Sequence, residues 1–540
     1  MAVTRTRIGG HLVVESLESL GAEIVFGLPG IHALGIWEAL RTSELRAIGM
    51  RTELSAGFAA DGYARVSGRA APLVLSTGPG ALISLAALME AASSHVPVVA
   101  IASQIPRDLI GRGRGYLHEL RDQLASFAPV VKWVGRAESE EAIPELLAEA
   151  WRVALTPPSG PVFLEIPVDV LGGETDVSRP TDLEGAPLRL PLPAESSLAE
   201  AARLLDAAER PVIWAGGGVL RAGAWDELAR IARLLDAPVA TTFMGKGAFP
   251  DDDPLFATSA CYDPALKDLL EEADAVLCVG TELGSETTFD YALRMPGTLV
   301  QIDAETERIG GTYPALGLVG DAKAVLEALA DRLGSRTIGD GEARAASVRK
   351  RISGGLATSD YRFEVGLLDT IREALPRDGV HAWDMTILGY DASMYFPALA
   401  PRRFLYPLGS GTLGYAWPAA LGAGLALGSV PTLAVVGDGG VLYGITELAT
   451  ARQHGIPAVL LVVDDGGYGV LREYQEGAYG ETTVVDLAQP DFVAAAEAFG
   501  VPVRETDADR LRADLEWGLG HGGPSVLVLR ERVRWIQASW

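Results

Sequence analysis

The sequence predicts an α/β protein made of three doubly wound, parallel-sheet domains, and three observations predict it. The first is length: 540 residues exceed what one core accommodates, and a prior of roughly 150 residues per domain suggests three or four units. The second is rhythm, because short apolar runs of strand length alternate with helical segments, as crossover units of a parallel sheet require. The third is punctuation: "GLPG", "STGPG", "AGGG" and "VVGDGG" follow apolar runs where the carboxyl edge of a sheet should lie.

The elements follow in order. Residues 1–171 read as a helix in "HLVVESLESLGA", strands in "EIVFGLPG" and "LRAIGM", a helix from Glu53, a strand in "PLVLSTGPG", another helix and a strand in "VPVVAIAS". The stretch 172–196, "GGETDVSRPTDLEGAPLRLPLPAES", reads as a linker. A second unit over 197–334 has strands in "PVIWAGGG", "APVATTF", "AVLCVG" and "TLVQID"; its "GGGV" reads as a structural turn, with a dinucleotide loop as the alternative. Residues 335–355, polar and spaced by glycines, read as a second connector, and a third unit spans 363–540 with strands in "LAVVGDGG", "AVLLVVDD" and "SVLVLRERV".

Composition narrows the function classes. A hydrophobic content of 48% with 21% charged residues describes a packed globular chain. The excess of 71 acids over 45 bases, a formal charge of −26, argues against a nucleic-acid partner, since phosphate backbones would be repelled. With only Cys261 and Cys278 there is no disulfide framework or cysteine-rich zinc site, which fits a cytoplasmic location. No export signal is evident at the N-terminus. Two charge-free runs approach the length of a membrane span, but "GPG" in one and Pro418 and Pro431 in the other break them, so no membrane segment is expected.

The chemistry concentrates in the third unit. "LAVVG", a helix in "GITELATARQHG" and "PAVLLVVDD" form a strand, helix, strand crossover. Such crossovers are right-handed, so both strands end on one edge and Asp438 and Asp465 face each other there. Two carboxylates with backbone oxygens from "DDGGYG" suit a hard cation such as Mg²⁺, and the N–H groups of Gly439 and Gly440 can approach a phosphate. "GDGG" alone reads equally well as a tight turn.

"GDGG" followed by "DDGGYG", with "FGLPGIHAL", "RTELSAGFAADGYAR", "STGPGA", "VPVVAIASQIP", "GPVFLEIPVDVL" and "GTLGYAWPAALGA", resembles the thiamine diphosphate-dependent acetolactate synthase and 2-oxo acid decarboxylase family over nearly the whole chain. The resemblance implies a pyrimidine-binding first domain, a central Rossmann-like domain and a diphosphate-binding third domain. It implies thiamine diphosphate and Mg²⁺ as cofactors, with Asp438, Asp465 and the backbone oxygen of Gly467 as metal ligands and Thr386, Gly439 and Gly440 near the diphosphate. Pro79, Tyr468 and Gly469 join the cofactor-binding set, Leu413 props the bent cofactor, and Gly411 offers it a carbonyl. Asp464 and Asp465 stand where the family usually has two asparagines.

By the same resemblance, Glu53 is the catalytic acid that meets the pyrimidine ring; unaided, its position reads as an exposed first-turn glutamate. Burial beside Leu54, Ala56 and Phe58 should raise its pKa, while a helix N-terminus near Thr52 opposes the rise. Ile31, His32 and His118 fall on substrate-facing loops, where the histidines are either proton shuttles or hydrogen-bonded loop residues. Leu471 and Tyr474 fall on the substrate channel. A flavin-contacting stretch of the family is replaced by "GTELGSETTFDYAL", which argues against FAD. The implied activity is decarboxylation of a small 2-oxo acid through an enamine, with carboligation open; the alternative is an acetolactate synthase condensing two pyruvates. The implied assembly is a homodimer or homotetramer with its active site at the subunit interface.

Overall fold

The computed structural model describes residues 6–334 and 339–537; the first and last residues of the expected outer domains and the start of the second connector lie outside them. Three six-stranded sheets, each wholly parallel, follow one another along the chain. The first has β1 (Ile24–Gly27), β2 (Arg46–Gly49), β3 (Ala71–Leu75), β4 (Val98–Gln104), β5 (Trp133–Arg136) and β6 (Val162–Pro167) in the order β2-β1-β3-β4-β6-β5. The second has β7 (Pro211–Ala215), β8 (Val239–Thr241), β9 (Phe256–Thr258), β10 (Ala275–Val279), β11 (Thr298–Asp303) and β12 (Leu316–Val319) in the order β12-β11-β10-β7-β8-β9. The third has β13 (Val380–Trp383), β14 (Phe404–Leu405), β15 (Thr432–Gly437), β16 (Val459–Val463), β17 (Val503–Thr506) and β18 (Ser525–Leu529) in the order β14-β13-β15-β16-β18-β17.

Each sheet is sandwiched by helices, so its inner strands are continuous apolar runs buried on both faces. β3, β4, β6 and β16 are buried at every residue, whereas the outermost β2 and β5 are partly exposed. Numbered from their own first strands, the first and third sheets have the same order, in which the winding reverses beside the first strand. Ligands of open sheets bind at the carboxyl ends flanking that reversal. In the second sheet the reversal falls between β7 and β10.

The first and third domains pack through the helices that follow their second strands, Glu53–Ser67 and Ala416–Leu427. Small residues allow backbone-to-backbone contact: a Cβ added at Gly62 would come within 2.1 Å of the Ala419 oxygen, and one at Gly422 within 1.9 Å of the Ala59 oxygen. Buried charges seal the contact beside them. Arg65 reaches Asp61 at 2.6 Å and Glu90 at 2.7 Å, and the Tyr415 hydroxyl donates to Asp61 at 2.7 Å.

One expectation is corrected. The connector read from the polarity of 335–355 contains the helix Gly341–Thr358. Its Ala345, Val348, Ile352 and Leu356, three or four residues apart, make a buried stripe against the central domain. The long apolar runs are helix and strand in turn, and among the described residues no helix is long and apolar enough to cross a membrane.

A Gly422→Val substitution tests the helix contact. It should lower the urea midpoint by the equivalent of about 1–3 kcal/mol or more, the usual cost of overpacking. An unchanged midpoint would mean that the two helices are not held this close.

Candidate active site

The third sheet presents its acids in adjacent loops. Gly437 pairs with Val463 in the β15–β16 register, so Asp438 and the Asp464–Asp465 pair leave neighbouring strands at the same level. Asp438 is buried; its Oδ1 accepts from Gly439 N at 2.7 Å, and its Oδ2 accepts from Gly466 N at 2.9 Å and Gln489 Nε2 at 2.6 Å. Burial, with the charge of Asp464 adding to it, pushes Asp438 up to about 6, and burial followed by the charge of Asp438 pushes Asp465 up to about 7. The two carboxyls therefore share an environment that resists a second negative charge.

The loop after Asp465 turns through Gly466 and Gly467, whose φ values of 86° and 146° strain any residue with a Cβ. The Gly467 oxygen accepts from Gly469 N at 3.1 Å, and Gly469 opens the helix Gly469–Tyr479 that carries Leu471 and Tyr474. Tyr468 lies against Gly439, where an added Cβ would meet its ring at 2.5 Å. On the other side, Asp384 directly follows β13, and Thr386 is the first residue before the helix Ile387–Tyr395. Helix starts at Thr386 and Gly437 thus converge on one spot, and N–H groups at such starts favour an anion.

Sequence reasoning missed Asp384, although "HAWD" repeats the pattern of "AVVGD": an acid directly after a strand. Its buried carboxylate accepts from Met385 N at 2.9 Å, Gly414 N at 3.1 Å and Ala416 N at 3.1 Å. It thereby fixes the loop bearing Gly411, exposed at φ 66°, and the half-buried Leu413. Gln489 was also missed, and no local pattern marks it.

The first sheet gathers the remaining candidates at its own carboxyl edge. Thr52 caps the helix Glu53–Ser67 by accepting from Ser55 N. Glu53 is buried, and burial raises its pKa while its own backbone N–H opposes the rise; the exposed-glutamate reading is thereby excluded. Its Oε1 lies 3.0 Å from where a Cβ on Gly80 would sit, next to the exposed Pro79 after β3. His32, after β1, is buried with its ring 5.2 Å from that of His118, and among the described residues Nδ1 of each has no hydrogen-bond partner. Burial, then the charge of His118, holds His32 below the ordinary histidine range. His118 sits at φ 67° in a loop drawn together by the Glu119 carboxylate, which accepts from the N–H groups of Gly113, Gly115 and Tyr116. Ile31 is 60% exposed, Leu471 50% and Tyr474 53%, so the apolar candidates face outward on both edges.

The structure thus forms two half-sites. They are tied by Glu447, whose Oε1 accepts from Arg51 N at 2.9 Å, but among the described residues no contact joins Glu53 to Asp438 or Asp465. A separate cavity of about 1130 Å³ lies at the second sheet, lined by Gly217, Gly218, Gly280 and Asp303 among others. Its "GGG" turn passes backbone against backbone, a Cβ on Gly216 falling 2.2 Å from the Gly280 oxygen, which accounts for the glycines as packing. The cavity does not include Glu53, Asp438 or Asp465. Among the described residues no three or more His, Cys, Asp or Glu side chains cluster for a metal. A metal at Asp438 and Asp465 therefore needs backbone or ligand oxygens to complete its shell. An oxygen-only donor set beside two helix starts fits a divalent cation carrying a diphosphate.

Comparison with known proteins gives a consistent picture. Residues 7–126 match the model of the thiamine pyrophosphate enzyme N-terminal TPP binding domain, 198–329 the central domain and 384–529 the C-terminal TPP binding domain. The chain is 38% identical to a probable 2-ketoarginine decarboxylase, AruI, of Pseudomonas aeruginosa, over 98% of this chain and 95% of that protein. It is 33% identical to a probable acetolactate synthase large subunit of Methanocaldococcus jannaschii, over 96% and 91%. It is also 33% identical to an acetolactate synthase of Mycobacterium bovis, over 91% and 82%.

The shared acidity of Asp438 and Asp465 has a measurable sign. A folded pKa raised above the unfolded value contributes stability that is present at low pH and lost as pH rises through the folded value. Metal-free protein should therefore lose stability between pH 5 and pH 8, and Asp465→Asn should lose less over the same interval. Equal losses in urea titrations of the two proteins would show that Asp465 is not raised by burial and the charge of Asp438.

Proposed function

The chain belongs to the thiamine pyrophosphate-dependent enzymes, among acetolactate synthase-like members, and on that premise we propose that it decarboxylates a 2-oxo acid with Mg²⁺ as its metal and without flavin. The observation that carries the reading is the pair of adjacent acids Asp438 and Asp465 on one sheet edge, matched by the buried Glu53 on the equivalent edge of a sheet with the same strand order. When bound, thiamine diphosphate supplies a nucleophilic thiazolium carbon and accepts the electron pair released with carbon dioxide.

In this reading the chain's own groups divide the remaining work. Asp438, Asp465 and the Gly467 oxygen would hold the cation, and Thr386, Gly439 and Gly440 would border the diphosphate. Leu413 and the Gly411 carbonyl orient the cofactor, with Asp384 fixing their loop, and Pro79, Tyr468 and Gly469 border it. Glu53, raised by burial, retains a proton more readily than a solvated glutamate and exchanges it with the pyrimidine nitrogen. His32, held toward its neutral form, and His118 move a proton at the substrate end.

A second protomer supplies the missing closure. Ile31, Leu34, Leu442, Tyr443 and Leu471, all large, hydrophobic and exposed, lie on the elements that carry the candidate residues, and exposed apolar surface of this kind favours an interface. The assembly proposed is a homodimer or a pair of homodimers, located in the cytoplasm. Removal of flavin from the reading rests on "GTELGSETTFDYAL". The AruI relative, by its name a 2-ketoarginine decarboxylase, supports decarboxylation as the main reaction. The acetolactate synthase relatives support the second reading, condensation of two pyruvates.

Glu53→Gln should lower kcat by about 10²–10⁴-fold, the range of a lost acid–base group, while cofactor still binds; unchanged turnover would remove Glu53 from the chemistry. Carbon dioxide release over a panel of 2-oxo acids separates the two reactions. Acetolactate from pyruvate as the fastest product would overturn the decarboxylase reading.

A further inference from the structure

One carboxylate of the first domain holds a loop of the third. Glu90 lies on the helix Leu85–Ser93, whose other residues are apolar or small, and it is completely buried. Its Oε1 accepts from Arg65 Nη2 at 2.7 Å and from the Ser94 hydroxyl at 2.7 Å. Its Oε2 accepts from Ser410 N at 2.7 Å and from the Ser410 hydroxyl at 2.8 Å. Together these donors fill the roughly four places that a carboxylate offers.

The ion pair alone does not account for this arrangement. Arg65 is already neutralised by Asp61, which accepts from its Nε at 2.6 Å and its Nη2 at 3.3 Å. A second acid buried on the same guanidinium adds a desolvation cost that the ion pair does not require. The Oε2 of that acid is spent on Ser410 instead.

Ser410 immediately precedes Gly411 and stands three positions before Leu413. The loop is tethered on both sides of these two residues. Before them, Arg65 Nη1 donates to the Tyr406 oxygen at 3.2 Å and Glu90 holds Ser410; after them, Asp384 holds Gly414 N and Ala416 N. The loop also presses on the first domain at Gly409, where an added Cβ would fall 2.7 Å from the Ser94 hydroxyl oxygen and 3.1 Å from Glu90 Oε1. Between the tethers the Gly411 N–H bonds within the loop, to the Pro407 oxygen at 2.8 Å. The place of Gly411 relative to the first domain therefore depends on the Glu90 tether.

We propose that Glu90 is a positioning residue for the cofactor: through Ser410 it holds the loop that offers Leu413 and the Gly411 carbonyl. The inference rests on the thiamine diphosphate reading and adds a residue of another domain to the cofactor's support.

The test is calorimetric titration of thiamine diphosphate with Mg²⁺ present, together with kcat at saturating cofactor and urea midpoints, on full-length Glu90→Gln, Ser410→Ala and the double variant. Glu90→Gln should weaken cofactor binding by about tenfold or more and lower kcat, because the loop loses its charged acceptor. Ser410→Ala, which keeps the main-chain bond, should weaken binding by about threefold at an unchanged urea midpoint. The double variant should be no worse than Glu90→Gln, since both changes act on one tether. Wild-type affinity and kcat in Glu90→Gln, with only the urea midpoint lowered, would overturn the inference and leave Glu90 as a structural partner of Arg65. Effects that multiply in the double variant would overturn it too. Should Glu90→Gln fail to fold, Ser410→Ala decides: wild-type affinity and kcat overturn the inference, and the threefold loss upholds it. Wild-type protein that binds no thiamine diphosphate would overturn the reading beneath it, and the inference with it.

Discussion

Two carboxyls placed at neighbouring strand ends repel each other, and the remainder of the third domain is organised around that repulsion. The β15–β16 register fixes Asp438 and Asp465 at one level, and the burial of Asp438 among backbone N–H groups prevents water from screening the pair. Such an arrangement costs folding free energy unless a cation neutralises it. The glycines around it have the same origin: Gly439 lies where a Cβ would strike Tyr468, and Gly467 holds a φ that side chains avoid. A cation held here would lie beside the starts of two helices, where phosphate oxygens are favoured.

The outer domains repeat one topology and divide one task. Each presents a carboxyl edge beside a winding reversal, and each places its site loop immediately before the helix that follows its second strand. In the first domain that position carries Glu53; in the third it carries Gly411 and Leu413, held by Asp384. The two helices touch through Gly62 and Gly422, so neither half-site can shift without disturbing the other. Glu447 adds a polar tie from the loop before Glu53 to the helix after Asp438. The central domain has another strand order and keeps its cavity away from both half-sites.

Much of this was legible because it depends on local pattern. Apolar strand runs ending in glycine turns gave the three sheets, and an acid directly after such a run gave Asp438 and Asp465. The fate of Glu53 was not legible from its neighbours alone, since a first-turn glutamate is exposed more often than buried; the family resemblance supplied it. Asp384 carried the right signal and was passed over. Gln489 carries none, because it stands 51 positions after Asp438 in the chain. The helix within 335–355 was hidden by charge: its apolar stripe of Ala345, Val348, Ile352 and Leu356 is narrow among polar neighbours.

Calorimetric titration of thiamine diphosphate into metal-free protein, with and without Mg²⁺, tests the central claim most directly. The account predicts tight binding only with the divalent ion, and its loss when Asp438 is replaced by Asn. Equal affinity with and without Mg²⁺, or full affinity in the Asp438→Asn protein, would contradict it.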